Sequence, residues 1–351
     1  MALTTTCIGA WPKPACVALP DWFGGTEGPD TADPTARWAD AFAALGDETE
    51  AVLARGVAEA IADQVEAGID VPTDGEISRE NYIHYHCRHL DGFDFTRLGE
   101  KALRGGTYRA RLPTVVGPVR AREPFLVHDW RRAQRCTERA VKLTMPGPMT
   151  VADTNVDRFY GDPKALGAAI ADALNVEVLA LAAAGCRHVQ IDEPLFARRP
   201  DDALAFGFEH LERAFHGCPP NVVRTVHMCC GYPDALDRED YPKADPGAYA
   251  RLADAIEASS IDAVSLEAAH RPIDLAVLER LPTTRVVLGV VAIAKRRVET
   301  VEEIERQLRR ALDHVDADRL VAAPDCGLGL LGRDRAVAKL RNLCAAAARV
   351  G

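Results

Sequence analysis

The sequence lacks several features that would point away from a cytoplasmic enzyme. Its 351 residues contain no Ser/Gly-rich linker, no low-complexity block and no continuous apolar run that we expect to span a bilayer. The first nine residues show neither the basic nor the apolar region of a signal peptide. Acidic residues outnumber Lys and Arg by 52 to 42, which opposes the counterion release that drives nucleic-acid binding. These absences predict one cytoplasmic domain over residues 1–351, with neither a nucleic-acid nor a membrane partner.

Cysteine, by contrast, is present in sufficient number to supply metal ligands. Ten cysteines occur, and a reducing compartment keeps thiols free instead of pairing them as disulfides. Free thiols are available to metals, so the cysteines are better read as candidate ligands than as a disulfide framework.

Short β-like runs alternate with alanine-rich helical stretches, the pattern of parallel βα units. The helical stretches include Thr49 to Ala67, Pro163 to Ala184, Pro246 to Ala258 and Val301 to Val315. We read eight strands, near Thr4 to Gly9, Gly68 to Thr73, Val141 to Met145, His188 to Asp192, Val222 to Met228, Ala263 to Glu267, Arg285 to Val290 and Leu320 to Ala323. Eight such units in a chain of this length predict an α/β fold of the (β/α)₈ TIM-barrel type.

Two segments do not fit a bare barrel. Residues 81–119 follow the second strand, are rich in His, Arg and aromatic residues and lack helical periodicity, so we expect an insertion with extended strands beside the barrel mouth. Residues 12–36 contain many Pro and Gly and predict a long loop after the first strand. Both segments are expected to cover the C-terminal face, where the reactive groups of such barrels collect.

Four residues at that face are of the types that bind zinc. His227 and Cys229 end the fifth strand two positions apart, on one face, while Glu267 ends the sixth and Cys326 follows the eighth. A structural zinc finger would instead cluster its ligands in short loops, so a reactive site is the better interpretation. The plainer alternatives are buried apolar cysteines, a hydrogen-bonded core histidine and a helix-capping glutamate.

Several ordered motifs make the chain resemble a known family, the catalytic C-terminal domain of cobalamin-independent methionine synthase and its single-domain archaeal relatives. The motifs run in the family's order from about residue 4 to about residue 330. They are Thr5 to Pro12, Thr73 to Glu76, Pro146 to Thr150, Gln190 to Pro194, His227 to Cys229, Ser265 to Ala269 and Pro324 to Leu328.

The resemblance implies a zinc-dependent methyltransferase that acts on a small thiol, most simply homocysteine, to give methionine. The Zn²⁺ ligands would be His227, Cys229, Glu267 and Cys326. A zinc-bound thiol is deprotonated at neutral pH, whereas a free one is not, so the metal would generate the nucleophile.

The resemblance also implies how the amino acid would be held. Glu76 and Asp192 would bind its ammonium group, and backbone groups of Ile8, Gly9 and Ala10 would complete the pocket. The family usually has a serine where Ala10 stands, so a hydroxyl contact is lost while a backbone contact survives.

The sequence departs from the family where the methyl donor would bind. The folate-using members carry Asp-Ile-His after the seventh strand, with the His as proton donor, whereas this chain has Ala292-Ile293-Ala294. The tryptophan that those enzymes place soon after the Gly-Pro-x-Thr motif is also absent. The donor is therefore open: methylcobalamin on a corrinoid-protein partner, a sulfonium compound and an epoxide are candidates, and the basic residues 295–297 could contact an anionic part of it.

His84 and His86 lie in a histidine-rich stretch of the insertion. If that stretch is a strand, both share one face and could bind a second metal or replace the missing acid, with structural histidines as the plain alternative.

Two other functions remain open at this point. One is epoxide opening by the thiol of coenzyme M, as in epoxyalkane:coenzyme M transferase, which would leave Glu76 and Asp192 without an ammonium group to bind. The other is a barrel lyase related to uroporphyrinogen decarboxylase, which would not need the four metal ligands.

Overall fold

A computed structural model of the protein describes residues 2–23, 32–103, 108–232, 235–238, 243–245 and 247–351. In chain order the strands are β1 (Thr4–Thr5), β2 (Leu90–Leu103), β3 (Tyr108–Ala121), β4 (Lys142–Pro146), β5 (Val156–Asp157), β6 (His188–Asp192), β7 (Val223–Met228), β8 (Ala263–Glu267), β9 (Arg285–Val291) and β10 (Leu320–Pro324).

The described part of the chain also contains twelve α-helices. They are α1 (Ala32–Ala44), α2 (Thr49–Ala67), α3 (His84–Arg88), α4 (Leu126–Gln134), α5 (Pro148–Asp153), α6 (Pro163–Ala184), α7 (Pro194–Arg198), α8 (Pro200–Asp202), α9 (Phe208–Ala214), α10 (Ala248–Ala258), α11 (Val301–Leu312) and α12 (Arg333–Val350). A π-helical turn, Ala203–Gly207, joins α8 to α9, and 3₁₀ turns occur at Gly46–Glu48 and Leu275–Arg280.

Seven parallel strands form the central curled sheet in the described part of the chain, in the order β1-β10-β9-β8-β7-β6-β4. The predicted second strand, Gly68 to Thr73, is wrong as a regular strand. Val71 makes one parallel bridge to Thr6, and Thr73 makes one to Lys142, so this segment touches both edge strands without a ladder. Pro72 lies between the two bridges and has no N–H to donate, which interrupts the pairing. The parallel α/β prediction is confirmed, with seven ladder strands in place of eight.

The parallel register brings the ends of distant strands together. Asp192 on β6 pairs with His227 on β7, and His227 pairs with Ser265 on β8. Glu267, two residues beyond Ser265, pairs with Gly289 on β9. Because all these strands run in the same direction, their C-terminal ends meet at one rim of the sheet.

Helix α6 is, by length and composition alone, the one described helix that could cross a membrane. Half of its apolar window is nevertheless buried inside the protein, and its buried residues include Leu166, Ile170 and Leu174. Asp162 caps its start by accepting a hydrogen bond from the Lys164 N–H, and Gly185 ends it in a left-handed conformation. Packing within the fold thus accounts for its apolar face.

The predicted insertion contains a long antiparallel hairpin, β2 paired with β3, as expected for extended strands. The stretch with the histidines is different: residues 84–88 form helix α3, so the prediction that His84 and His86 share a strand face is wrong. The side chain of Asn81 accepts hydrogen bonds from the N–H groups of Ile83, at 2.9 Å, and His84, at 2.7 Å, and so starts a helical turn.

The expected loop after the first strand is present from residue 12 to residue 23, which contain no helix or strand. Residues 24–31 of this predicted loop lie outside the described residues, and α1 begins at Ala32, inside the range that we expected to be loop.

Candidate metal and substrate site

The side chains of His227, Cys229 and Cys326 meet at the C-terminal rim of the sheet. His227 lies on β7, Cys229 directly follows that strand, and Cys326 follows β10. One ligand atom from each side chain lies within 4.8 Å of the others. This mixture of one imidazole and two thiols, gathered at a single point, is a candidate metal centre of the type that zinc prefers.

His227 is held as a metal-binding histidine usually is. Its Nδ1 lies 2.9 Å from the hydroxyl oxygen of Ser265, while its Nε2 is buried and has no hydrogen-bond partner among the described atoms. Burial lowers the pKa of His227, which favours the neutral ring that ligates metals. A buried nitrogen without a partner is costly, and a metal ion would satisfy it. Sequence reasoning assigned no role to Ser265, although its spacing of two from Glu267 on β8 puts both on one face.

The two thiols of the triad share a proton unequally. A hydrogen bond from Cys326 lowers the pKa of Cys229, so Cys229 is the sulfur that more readily carries negative charge. The same hydrogen bond, together with burial, raises the pKa of Cys326 well above its usual value. A dication would stabilise both sulfurs as thiolates.

Glu267 lies against the triad without being part of it. Its Oε1 is 3.4 Å from the Cys229 sulfur, and its Oε2 accepts a hydrogen bond from the Cys230 N–H at 3.1 Å. The Lys243 ammonium lies 3.5 Å from that same Oε2. Burial raises the pKa of Glu267 to about 8. The carboxylate is thus adjacent to Cys229, one of the three other predicted ligands, and its role as the fourth ligand stays a prediction.

Asp325, next to Cys326, fixes the loop that follows Glu267. Its carboxylate accepts hydrogen bonds from the N–H groups of Ala268, Ala269 and His270 at 3.0, 2.9 and 2.6 Å. The segments that carry two of the predicted ligands are therefore joined directly to each other.

Glu76 is a buried carboxylate in an unusual backbone conformation. Its φ of 58° lies in the left-handed region, which residues other than glycine seldom adopt. The Thr144 hydroxyl donates a hydrogen bond to its Oε1 at 2.9 Å, and the Arg79 guanidinium lies 3.4 Å from the same oxygen. Burial raises the pKa of Glu76. A Cβ on Gly9 would lie only 2.6 Å from Oε1, so the absence of a side chain at position 9 makes room for this carboxylate.

Asp192 is linked to the first strand through Gln190. The Gln190 amide nitrogen donates to the Asp192 Oδ1 at 2.7 Å and to the carbonyl oxygen of Ile8 at 2.8 Å. Burial raises the pKa of Asp192 to about 7. The amide therefore positions one predicted substrate carboxylate against the backbone segment that is predicted to bind the same substrate.

One cavity connects these groups. Its walls include all five predicted substrate residues and the three members of the triad, namely Ile8, Gly9, Ala10, Glu76, Asp192, His227, Cys229 and Cys326. Leu103 and Leu112 of the hairpin also line it, so the insertion covers the site as expected.

His84 lines the cavity, whereas His86 is not among its lining residues. The rings are held separately: His84 Nδ1 lies 2.9 Å from the Thr35 hydroxyl, and His86 Nδ1 lies 2.6 Å from the Tyr82 carbonyl oxygen. Burial lowers the pKa of His84 to about 4 and that of His86 well below its usual value. Both rings are therefore neutral at pH 7, which disfavours the predicted role as proton donor, and that role stays untested.

The segment after β9 does not point basic groups into the cavity. The Ala294 N–H donates to His270 Nε2 at 3.1 Å. Arg296 pairs with Asp237 at 2.6 Å, and Arg297 pairs with Glu303 at 2.7 Å. Both arginines therefore have the pairing expected of solvent-exposed surface residues and not of residues that bind a methyl donor.

Comparison with known proteins identifies related chains across almost the whole sequence. A family model described as the catalytic domain of cobalamin-independent synthase matches residues 3–203 and 247–349. A methionine synthase from Saccharolobus solfataricus is 29% identical over 97% of this chain and 92% of its own length. A methionine synthase from Thermococcus kodakarensis is 31% identical over 79% of this chain and 76% of its own.

A solved structure extends the similarity to three dimensions. The B12-independent methionine synthase from Shewanella sp. W3-18-1, in complex with selenomethionine, aligns with a TM-score of 0.88 at 31% identity. The alignment covers 100% of this chain and 98% of that one. A vitamin-B12-independent methionine synthase described as putative, from Listeria monocytogenes, shares the fold with a TM-score of 0.68 at 18% identity.

Proposed function

Because this chain belongs to the family of cobalamin-independent synthase catalytic domains, we propose that it transfers a methyl group to the thiol of homocysteine to give methionine. The methionine synthases that it resembles over most of its length make it a methyltransferase by family. Membership also removes the reason for considering a lyase related to uroporphyrinogen decarboxylase. The cytoplasmic location stays a prediction.

The observation that carries the proposal is the triad of His227, Cys229 and Cys326, with His227 Nε2 buried and without a partner among the described residues. Thiolate and imidazole ligands together favour zinc over magnesium or calcium, which prefer oxygen. With Glu267 as the fourth ligand, two thiolates and one carboxylate around a dication give a formal charge of about −1. Zinc bound there would lower the pKa of the acceptor's thiol and keep it as a thiolate.

The protein's own residues would orient the acceptor. Glu76 and Asp192 are two buried carboxylates in the same cavity, suited to an ammonium group. Ile8, Gly9 and Ala10 line the same cavity, where their backbone groups would complete the pocket. This arrangement favours an amino acid over coenzyme M, whose sulfonate would be repelled by both carboxylates. The selenomethionine bound to the Shewanella relative supports the same choice.

The proposed reaction needs a methyl donor that can react without a strong acid beside it. Position 294, where the folate-using members place a histidine, is an alanine, and His84 has a pKa lowered by burial. The relatives give no support to a corrinoid protein as a partner, and that expectation stays untested.

Methionine formation in vitro tests the proposal. Purified protein stripped of metal and then reloaded with zinc should convert homocysteine to methionine with a competent donor, and the stripped protein should not. His227→Ala and Cys326→Ala should lose activity and zinc together. The matched control is Cys136→Ala, which changes an exposed cysteine away from the cavity and should retain both. Zinc-independent methylation of homocysteine would refute the metal-based mechanism.

A further inference from the structure

Four aromatic rings stand together in the wall of the cavity. Trp22 lies nearly parallel to Tyr232, with ring centroids 6.5 Å apart and an angle of 23° between the planes. Tyr82 lies 5.6 Å from Trp22, and Phe23 lies 5.5 Å from Trp22 and 5.6 Å from Tyr232. All four residues line the cavity that contains the triad. We call Trp22, Phe23, Tyr82 and Tyr232 the aromatic box.

The aromatic box is attached directly to the metal-ligand segments. Tyr232 follows Cys229 by three residues, and its hydroxyl donates to the carbonyl oxygen of Gly327 at 2.9 Å, one residue after Cys326. The backbone N–H of Trp22 donates to the Glu80 carbonyl oxygen at 3.0 Å. A ligand held by the rings would therefore lie beside the sulfur atoms where the thiol is expected to bind.

The charges around the cavity favour a cationic ligand. Among the described residues that line it, the carboxylates are Glu76, Asp153 and Asp192, whereas Arg198 is the single Lys or Arg. Two of these carboxylates are partly compensated by arginines outside the lining, Asp153 by Arg199 at 3.2 Å and Glu76 by Arg79 at 3.4 Å. Aromatic faces attract cations through their quadrupoles, most strongly where water is excluded. An anionic donor would find little compensation here.

The absence of the family's proton-donating histidine also favours a cationic methyl donor. A methyl group on neutral nitrogen leaves only when that nitrogen is protonated, and the position of the family's acid is Ala294. In a sulfonium or quaternary ammonium compound the methyl carbon is already activated. The thiolate of homocysteine attacks that carbon, the new C–S bond forms, and the bond to the onium atom breaks. Its electron pair returns to the onium atom, which leaves as a neutral thioether or tertiary amine, so no proton is required.

We propose that the aromatic box binds the methyl donor, and that this donor is a methyl-onium cation, either a sulfonium or a quaternary ammonium compound. The proposal rests on the methyl transfer proposed above and specifies its second substrate. Trp22 and Tyr232 would hold the methyl-bearing onium group until the methyl group is transferred.

Paired isosteres test the cation requirement by calorimetry on the full-length, zinc-loaded protein. Glycine betaine is compared with 3,3-dimethylbutyrate, and dimethylsulfoniopropionate with 4-methylpentanoate, so that each pair differs in charge but hardly in shape. At least one onium compound should bind about tenfold tighter than its neutral-headed isostere. The pair that shows the difference distinguishes an ammonium from a sulfonium donor. Equal affinity within both pairs would overturn the proposal.

Substitution of one ring tests where the cation binds. Trp22→Leu should remove most of the onium selectivity, whereas Trp22→Phe should retain part of it because a ring face remains. Phe159→Leu is the control, since Phe159 is half exposed and does not line the cavity. Selectivity that survives Trp22→Leu would overturn the assignment to the aromatic box, provided that circular dichroism shows the variant to be folded.

A separate measurement distinguishes failure of this inference from failure of the proposed function. In cobalt-substituted protein Cys229 and Cys326 should already give sulfur-to-cobalt charge-transfer absorption, and homocysteine should strengthen it if its thiol binds the metal. Stronger absorption without onium selectivity would leave the thiol chemistry standing and reject the onium donor. Onium selectivity with unchanged absorption would keep the aromatic box as a cation site and reject the metal-activated thiol.

Discussion

Ser265 places its hydroxyl oxygen 2.9 Å from Nδ1 of His227, so Nε2 is the ring nitrogen without a partner in the described part of the chain. The contact joins adjacent strands, β8 and β7, at paired positions of the sheet. It orients the imidazole before any metal arrives, as partners of metal-binding histidines commonly do.

Removal of this hydroxyl should weaken the metal site without unfolding the protein. Ser265→Ala is expected to lower zinc affinity by about 10- to 100-fold, measured by competition with a chelator of known affinity. Ser265→Thr retains a hydroxyl and should lose less. Equal zinc affinity in Ser265→Ala and the wild type would show that the ring needs no such support.

Binding of the product should depend on pH through Asp192. Burial raises the pKa of this carboxyl to about 7, so it is mostly protonated at pH 6 and mostly ionised at pH 8. Only the ionised form attracts an ammonium group. Methionine, which has no thiol to titrate, should therefore bind about fivefold to tenfold tighter at pH 8 than at pH 6 in calorimetry.

The matched variant for this pH effect is Asp192→Asn. It should bind methionine more weakly at pH 8 and lose most of the pH dependence, because an amide does not titrate in this range. An unchanged pH profile in Asp192→Asn would assign the effect to another group, such as Glu76.

Gly9→Ala should disturb the substrate carboxylate directly. The added Cβ would lie 2.6 Å from Glu76 Oε1, which Thr144 and Arg79 hold in place, so the carboxylate must move. The dissociation constant for methionine should rise about tenfold. Gly332→Ala is the control for the substitution itself, since nothing lies within 4 Å of that Cβ. Similar binding by both variants would argue against Glu76 as an ammonium ligand.

Arg79 should matter more for stability than an arginine at the surface. Its buried guanidinium lies 3.3 Å from Asp74 and 3.4 Å from Glu76, so Arg79→Met would leave two buried carboxylates without a cation. We expect a loss of about 3–5 kcal/mol in the free energy of unfolding, measured with urea at pH 7. Arg309→Met, which breaks an exposed pair with Glu305, should cost about 1 kcal/mol or less. Equal losses would show that Arg79 is not the compensating charge.

Helices and strands whose ends are set by nearby residues could be predicted from the sequence. Helices α2 and α6 have the predicted bounds because glycines in a left-handed conformation, Gly68 and Gly185, end them. Strand ends could also be read from the sequence, and these ends bring His227, Cys229 and Cys326 together. These three residues lie together because they follow or end neighbouring parallel strands at the same rim, and their role as metal ligands stays a prediction.

Contacts between distant segments could not be read in this way. The link from Gln190 to Ile8 depends on the position of β6 relative to the first strand, and the aromatic box joins residues 22, 82 and 232. The histidine-rich stretch was misread as a strand because the hydrogen bonds of Asn81 favour a helical turn there. The prediction of a regular second strand over Gly68 to Thr73 is wrong because Pro72 interrupts the pairing.

Zinc-edge X-ray absorption on the purified protein, with and without homocysteine, tests the proposed thiol activation most directly. We expect stoichiometric zinc with two sulfur ligands, and a third sulfur on addition of homocysteine. Cys326→Ser should show one sulfur fewer in each state. A zinc ligand set that does not change with homocysteine, or protein that cannot be loaded with zinc, would contradict the proposed mechanism.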